Sequence, residues 1–246
     1  MTKSLLITLF FLFMTTSARA QNMNNISQRA YRDVFEHTQL SKKEQSLASI
    51  ALLIGANQKQ LAVTTIQETL NAKTLTPQQI ISLLAQLTSY VGFPKIEAIT
   101  VGLPEKIQKA QIKLPKDTLN IRHAVGKKYY EKLDPKGYQV INAAFGDAAP
   151  QLIATTYPLF GDAFSHQTLT IREKQLVTVS CLTALGNAQP QLSFHVGTSL
   201  HVGLTVNTLY DIATISQYYS GMPSAYNLAL AIKQHTESQK QNPYAE

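Results

Sequence analysis

Two stretches of this chain, Leu40 to Pro94 and Leu169 to Pro223, follow one pattern, and that internal repeat constrains the fold more than any other feature. Aligned without gaps, Leu47 pairs with Leu176, Leu53 with Leu182, Leu75-Thr76 with Leu204-Thr205, Tyr90 with Tyr219, Gly92 with Gly221 and Pro94 with Pro223. A shift of two residues, closed again before Leu75, also pairs Gln60-Leu61 with Gln191-Leu192. Only two copies are visible, which makes this a duplicated domain and not a solenoid.

Apolar residues recur at helical spacing throughout, as in Ile80, Leu83, Leu84 and Leu87 or Leu209, Ile212 and Ile215, and sustained two-residue alternation is absent. The expected fold is therefore all-α. Thr76-Pro77 has the form of an N-cap followed by proline at the first helical position, and Thr205 caps the equivalent helix of the second copy. Gly55, Gly186 and Gly203 stand where helices should stop. Each copy then reads as three helices joined by short turns, with Gly-x-Pro breaking into a fourth.

The chain divides accordingly. Residues 1–20 carry Lys3, an apolar run from Leu5 to Met14 and Ala18-Arg19-Ala20 before Gln21, the pattern of a secretory signal peptide. Residues 21–110 hold the first repeat, 111–137 a polar linker with one exposed helix, 138–236 the second repeat, and 237–246 a polar tail. The apolar run is shorter than the about 20 residues a bilayer span needs. An exported protein with no membrane segment after signal removal is the expectation, in the periplasm or secreted.

Losing Lys3 and Arg19 with the signal lowers the formal charge from +7 to +5. That excess is spread out. Lys42-Lys43 and Lys127-Lys128 are the only basic pairs, without the Arg-rich or aromatic-interleaved runs of nucleic-acid binders. The single cysteine, Cys181, excludes an intramolecular disulfide, so stability must come from the core. His37, His123, His166, His201 and His235 show no ligand spacing on a common helical face, and no metal is expected.

The second copy holds the residue types that carry chemistry. Gln191, His195 and Ser199 are spaced by four and share one helix face, and Lys174, Thr178 and Cys181 form a similar stripe on the preceding helix. A short turn around Gly186 to Pro190 can bring the two stripes together. The first copy has Gln60, Thr64 and Glu68, and Gln45, Ser49 and Leu52, at these places, so it lacks the histidine, the lysine and the cysteine.

With Leu159-Phe160-Gly161-Asp162, Leu176 to Ser180, Ala184-Leu185-Gly186, Pro190-Gln191-Leu192, His195, Gly203-Leu204-Thr205 and Gly221-x-Pro223 in family order, the chain resembles the carboxymuconolactone decarboxylase-like family of the alkylhydroperoxidase D-like superfamily. It is most similar to the exported two-repeat members. The resemblance implies an all-helical fold, assembly into a homo-oligomer, here a trimer, and chemistry without a cofactor. The decarboxylase branch removes carbon dioxide from a lactone ring, which requires a proton donor and a positive environment for the developing enolate. His195 occupies the family's histidine position and Lys174 that of a usual arginine, making these the catalytic candidates; Gln191, Ser199 and Cys181 are the substrate-lining candidates. Gln191 stands where decarboxylases often have glutamate. Another branch of the superfamily reduces hydroperoxides with Cys-x-x-Cys, but Ala184 stands three residues after Cys181. A one-cysteine cycle needs an external reductant.

Three function classes remain open at the level of sequence. They are a cofactor-free decarboxylase or lactone-processing enzyme acting on a small carboxylate or lactone, a thiol-dependent peroxidase using Cys181, and a non-catalytic helical binding protein.

Overall fold

A computed structural model describes residues 21–241; the signal-peptide reading and residues 242–246 of the tail lie outside it. The described residues separate into two units, 21–38 and 39–241. In the first, residues 21–36 form one helix, α1. Everything below concerns the second unit, which holds both repeats and the segment between them. The described residues contain helices and no strands, so the fold is all-α. Among them no helix is long and apolar enough to cross a membrane.

Two central helices, α2 (Lys42–Gly55) and α10 (Ile171–Leu185), form the core. α2 is buried almost without a break from Leu47 to Gly55 and α10 from Lys174 to Thr183. A helix that hides every face must be surrounded. Around this pair stand α3 (Lys59–Asn71), α4 (Pro77–Val91) and α5 (Phe93–Thr100) from the first copy, and α11 (Gln189–His201), α12 (Val206–Ser220) and α13 (Met222–Gln241) from the second.

Local chemistry sets these helices at matching places. Ser41 and Thr170 each accept a hydrogen bond from the backbone N–H of a glutamate three residues on, while Glu44 and Glu173 reach back to the cap, giving two capping boxes. Thr76 and Thr205 cap α4 and α12, as their positions predict. Gly92 and Gly221, which end those helices, share nearly the same dihedrals, φ 83° and ψ 154° against φ 84° and ψ 165°. Both lie in the left-handed half of conformational space, where only glycine sits without strain.

The two copies also grip one another reciprocally. Lys43 Nζ is 2.6 Å from Glu173 Oε1, and Arg172 Nη1 is 2.6 Å from Glu44 Oε1. Each partner in one pair aligns in sequence with a partner in the other.

The intervening segment carries α6 (Glu105–Gln108), α7 (Leu119–Leu133) and α8 (Gly137–Phe145), followed by α9 (Pro150–Phe164). The sequence puts one exposed helix here; the structure gives α7 a packed face against α9. Gly126 and Gly161 meet at the crossing, where a Cβ on Gly126 would fall 1.8 Å from the Tyr157 carbonyl oxygen and one on Gly161 would fall 2.5 Å from that of Arg122. The backbones touch, and Arg122 clamps Asp162 beside the contact, its Nε 3.0 and 2.9 Å from the two carboxylate oxygens. Tyr130, Leu133, Ile153, Tyr157, Phe160 and Phe164 fill the interface, with Tyr90, Tyr129 and Phe194 packed against them.

Candidate active site

α10 lies against α11, so the side chains of their facing stripes meet, but one position over from the sequence reading. The partner of His195 is Gln175. Its Oε1 lies 2.9 Å from His195 Nδ1 and also accepts from Thr198 Oγ1 at 3.1 Å. A carboxamide oxygen only accepts, so Nδ1 carries the imidazole proton and Nε2 presents its lone pair. Nε2 faces the hydroxyl of Tyr90 at 3.4 Å. Tyr90 ends α4, so this hydroxyl comes from the first copy.

Behind Tyr90 the polar line continues inward. Thr178 Oγ1 donates to the Tyr90 hydroxyl at 3.3 Å, and Gln86 Nε2 donates to Thr178 Oγ1 at 2.8 Å and to the Lys174 carbonyl at 2.6 Å. Every donor in the sequence Gln86, Thr178, Tyr90, His195, Gln175 points the same way. Rings of Tyr90 and Phe194 stand edge-on to the imidazole at 5.7 and 5.1 Å.

Burial sets the charge states. His195 is 7% exposed and its pKa is pushed down to about 3, so the ring is neutral near pH 7. Burial also raises the Tyr90 hydroxyl well above its ordinary 10 and the Cys181 thiol to about 12. Cys181 is sealed in α10 and holds its proton.

Lys174 faces away from the histidine. It is 2% exposed, and its ammonium donates to the carbonyls of Phe164, at 2.5 Å, and of His166, at the end of α9, with the Tyr129 ring 5.2 Å away. A cation at a helix C-terminus satisfies orphan carbonyls and the dipole together. Burial first, and Lys132 second, lower its pKa to about 8. His166 next to it is pinned by Ser82 Oγ at 2.8 Å and the Ala163 carbonyl at 2.8 Å; burial, then Lys174, lower its pKa to about 4.

The remaining expected residues divide. Ser199 is fully buried, with its hydroxyl unpartnered among the described residues, as are Gln175 Nε2 and Gln86 Oε1. Gln191 is exposed on the first turn of α11, outside the hydrogen-bonded line. Gln175, Gln86, Thr198 and Tyr90 were not singled out for chemistry by the sequence; the Tyr90–Tyr219 pairing was the only trace. Alongside, a cleft of about 330 Å³ is lined by Ser193, Phe194, Gly197, Thr198, His201 and His235, so Phe194 and Thr198 stand between it and the imidazole.

Lys174→Met should discriminate the structural role of this cation. Below pH 8 the buried ammonium carries a cost, since its pKa drops from 10.5 to about 8, roughly 3 kcal/mol at 1.36 kcal/mol per unit. Removing it leaves two carbonyls unpaired, about 1–3 kcal/mol in the opposite direction. The variant should stay within about 2 kcal/mol of the parent at pH 7. Between about pH 8 and 10 the unfolded chain holds a proton that the folded one has released, so the parent gains stability as pH rises and the variant should not. Urea midpoints at pH 7 and 10 read this; equal gains in both proteins would refute it.

Residues 150–234, from the start of α9 into α13, match the Carboxymuconolactone decarboxylase family. The matched segment includes His195, Gln175, Lys174 and Cys181. The first copy and Tyr90 lie outside the match. No curated protein matches the chain.

Proposed function

We propose that this is an exported, cofactor-free enzyme of the carboxymuconolactone decarboxylase kind, which moves a proton on a small carboxylic acid or lactone at His195 and works as a homotrimer. The observation that carries this reading is the neutral imidazole held in one tautomer by Gln175, with its Nε2 lone pair toward the Tyr90 hydroxyl. The substrate's carboxylic acid gives its proton to the Tyr90 oxygen as Tyr90 passes its own to Nε2, and the carboxylate so formed favours the imidazolium beside it. Carbon dioxide departs, and the reverse transfer protonates the carbanion that is left. Lys174 enters as a positioning residue, fixing the end of α9 against α10.

The thiol reading is weaker on the same ground. Attack on a peroxide needs a thiolate, and Cys181 is buried in an apolar helix with its pKa near 12. A non-catalytic binding protein is the second reading, and the burial of His195 behind Phe194 and Thr198 favours it.

The test is a screen of the purified protein against lactones and cyclic carboxylic acids, followed by His195→Ala and His195→Gln. Losing a proton-transfer group should lower the rate by roughly 10² to 10⁴. Turnover that survives both substitutions with the fold intact eliminates His195 as the centre and moves the binding reading ahead. Light scattering reads the trimer, and amino-terminal sequencing of exported protein should begin at Gln21.

A further inference from the structure

The largest of the described clefts lies away from His195. It has a volume of about 840 Å³ and runs between α4, the start of α5, the irregular segment before α7, and α9. Its walls are apolar: Phe93, Leu114, Leu119, Pro158, Leu159 and Ala163 all face it. Phe93, Leu114 and Leu119 are more than half exposed, a grouping of large apolar side chains that water disfavours. Its two threonines add no polarity, because Thr88 Oγ1 donates to the Ala85 carbonyl and Thr155 Oγ1 to those of Gln151 and Leu152.

One charged corner remains, and its balance decides what fits. Arg122 is held by Asp162 through Nε and Nη2 and lies 3.6 Å from Asp117 through Nη1. The side chain of Asp117 is 97% exposed. One guanidinium thus stands among two carboxylates, leaving the corner with a net charge of −1. A carboxylate head would meet a cation already shared by two carboxylates. An ammonium head would meet the exposed carboxylate of Asp117.

We propose that this cleft is a binding site for an elongated apolar molecule ending in an amine, separate from the proton-transfer centre at His195. Its size falls in the range of small-molecule sites, of the order of 300–1,000 Å³, and its apolar walls with one polar anchor match their usual make-up. The apolar tail lies along α9 and the ammonium sits at the open side of the exposed Asp117 carboxylate.

Calorimetric titration with octylamine, octanol and octanoate tests the assignment on the parent protein. Octylamine should bind best and octanoate at least about tenfold more weakly, the effect of one charge met at close range near a surface. Asp117→Lys, at an exposed position, should leave folding unchanged and reverse the order of amine and carboxylate. Thr155→Trp, which fills the cleft from its exposed rim, should weaken octylamine by more than about tenfold without altering the circular dichroism melt. Octylamine that does not bind, octanoate that binds equally well, or binding indifferent to Thr155→Trp overturns the site. Loss of octylamine binding as the protein self-associates, read by light scattering, assigns the cleft to a second copy and overturns it as well.

Discussion

Acidifying the protein from pH 7 to pH 4 should remove about 6 kcal/mol of stability, enough to unfold a domain whose total is typically about 5–15 kcal/mol. The effect comes from two buried imidazoles. His195 and His166 have folded pKa values near 3 and 4, against 6.5 when unfolded. Below pH 6.5 the unfolded chain takes up protons that the folded chain refuses, so stability is full above that value and falls with acid. Each histidine contributes about 1.4 kcal/mol per unit until its folded pKa is reached. Urea midpoints between pH 7 and 5 should decline with a slope near two protons, and His166→Asn should halve that slope. A midpoint that stays level down to pH 5 would mean that neither ring is sealed from water as described.

A side chain at position 126 should be the most damaging single change outside the site. The Cβ of Gly126→Ala would sit 1.8 Å from the Tyr157 carbonyl and 2.8 Å from the Gly161 nitrogen, both backbone atoms that cannot turn aside. α7 must then move off α9, and the stacked Phe160–Phe164 pair and the Arg122–Asp162 clamp lose their frame. Overpacking of this kind costs about 3 kcal/mol or more, which lowers the melting temperature by roughly 6–12 °C in a chain of this size. Ala124→Val, on the exposed side of the same helix, is the control and should be nearly silent. A Gly126→Ala protein that melts with its parent would show that the helices do not touch there.

The contrast between these two places explains how far the sequence could be read. Helix ends were legible because caps are local chemistry: Ser41 with Glu44, Thr170 with Glu173, and Thr76 with Gln79 announce themselves within four residues. The α7–α9 contact was hidden because Gly126 sits among Lys127, Lys128, Glu131 and Lys132, whose polarity masks the thin buried face of Gly126, Tyr130 and Leu133. His195 could be singled out from its stripe on α11. Its partners could not, since neighbouring residues on a helix point about 100° apart, from 3.6 residues per turn, and a shift of one position exchanges Gln175, which faces α11, for Lys174, which faces the end of α9. Tyr90 arrives from 105 residues away, and only tertiary packing brings it to the imidazole.

The crossed pairs Lys43–Glu173 and Arg172–Glu44 also bear on how such a site could become one-sided. In a dimer of identical chains every substitution is made twice, so a residue useful at one place and harmful at its mirror image is a compromise. Here the two similar segments lie in one chain and are separately encoded. Tyr90 can face the histidine of the other half without its counterpart, Tyr219, having to do the same, and Thr64 need never have become a histidine. Fusion keeps the mutual grip of the halves at fixed stoichiometry and independent of dilution, while it removes the requirement that they remain alike.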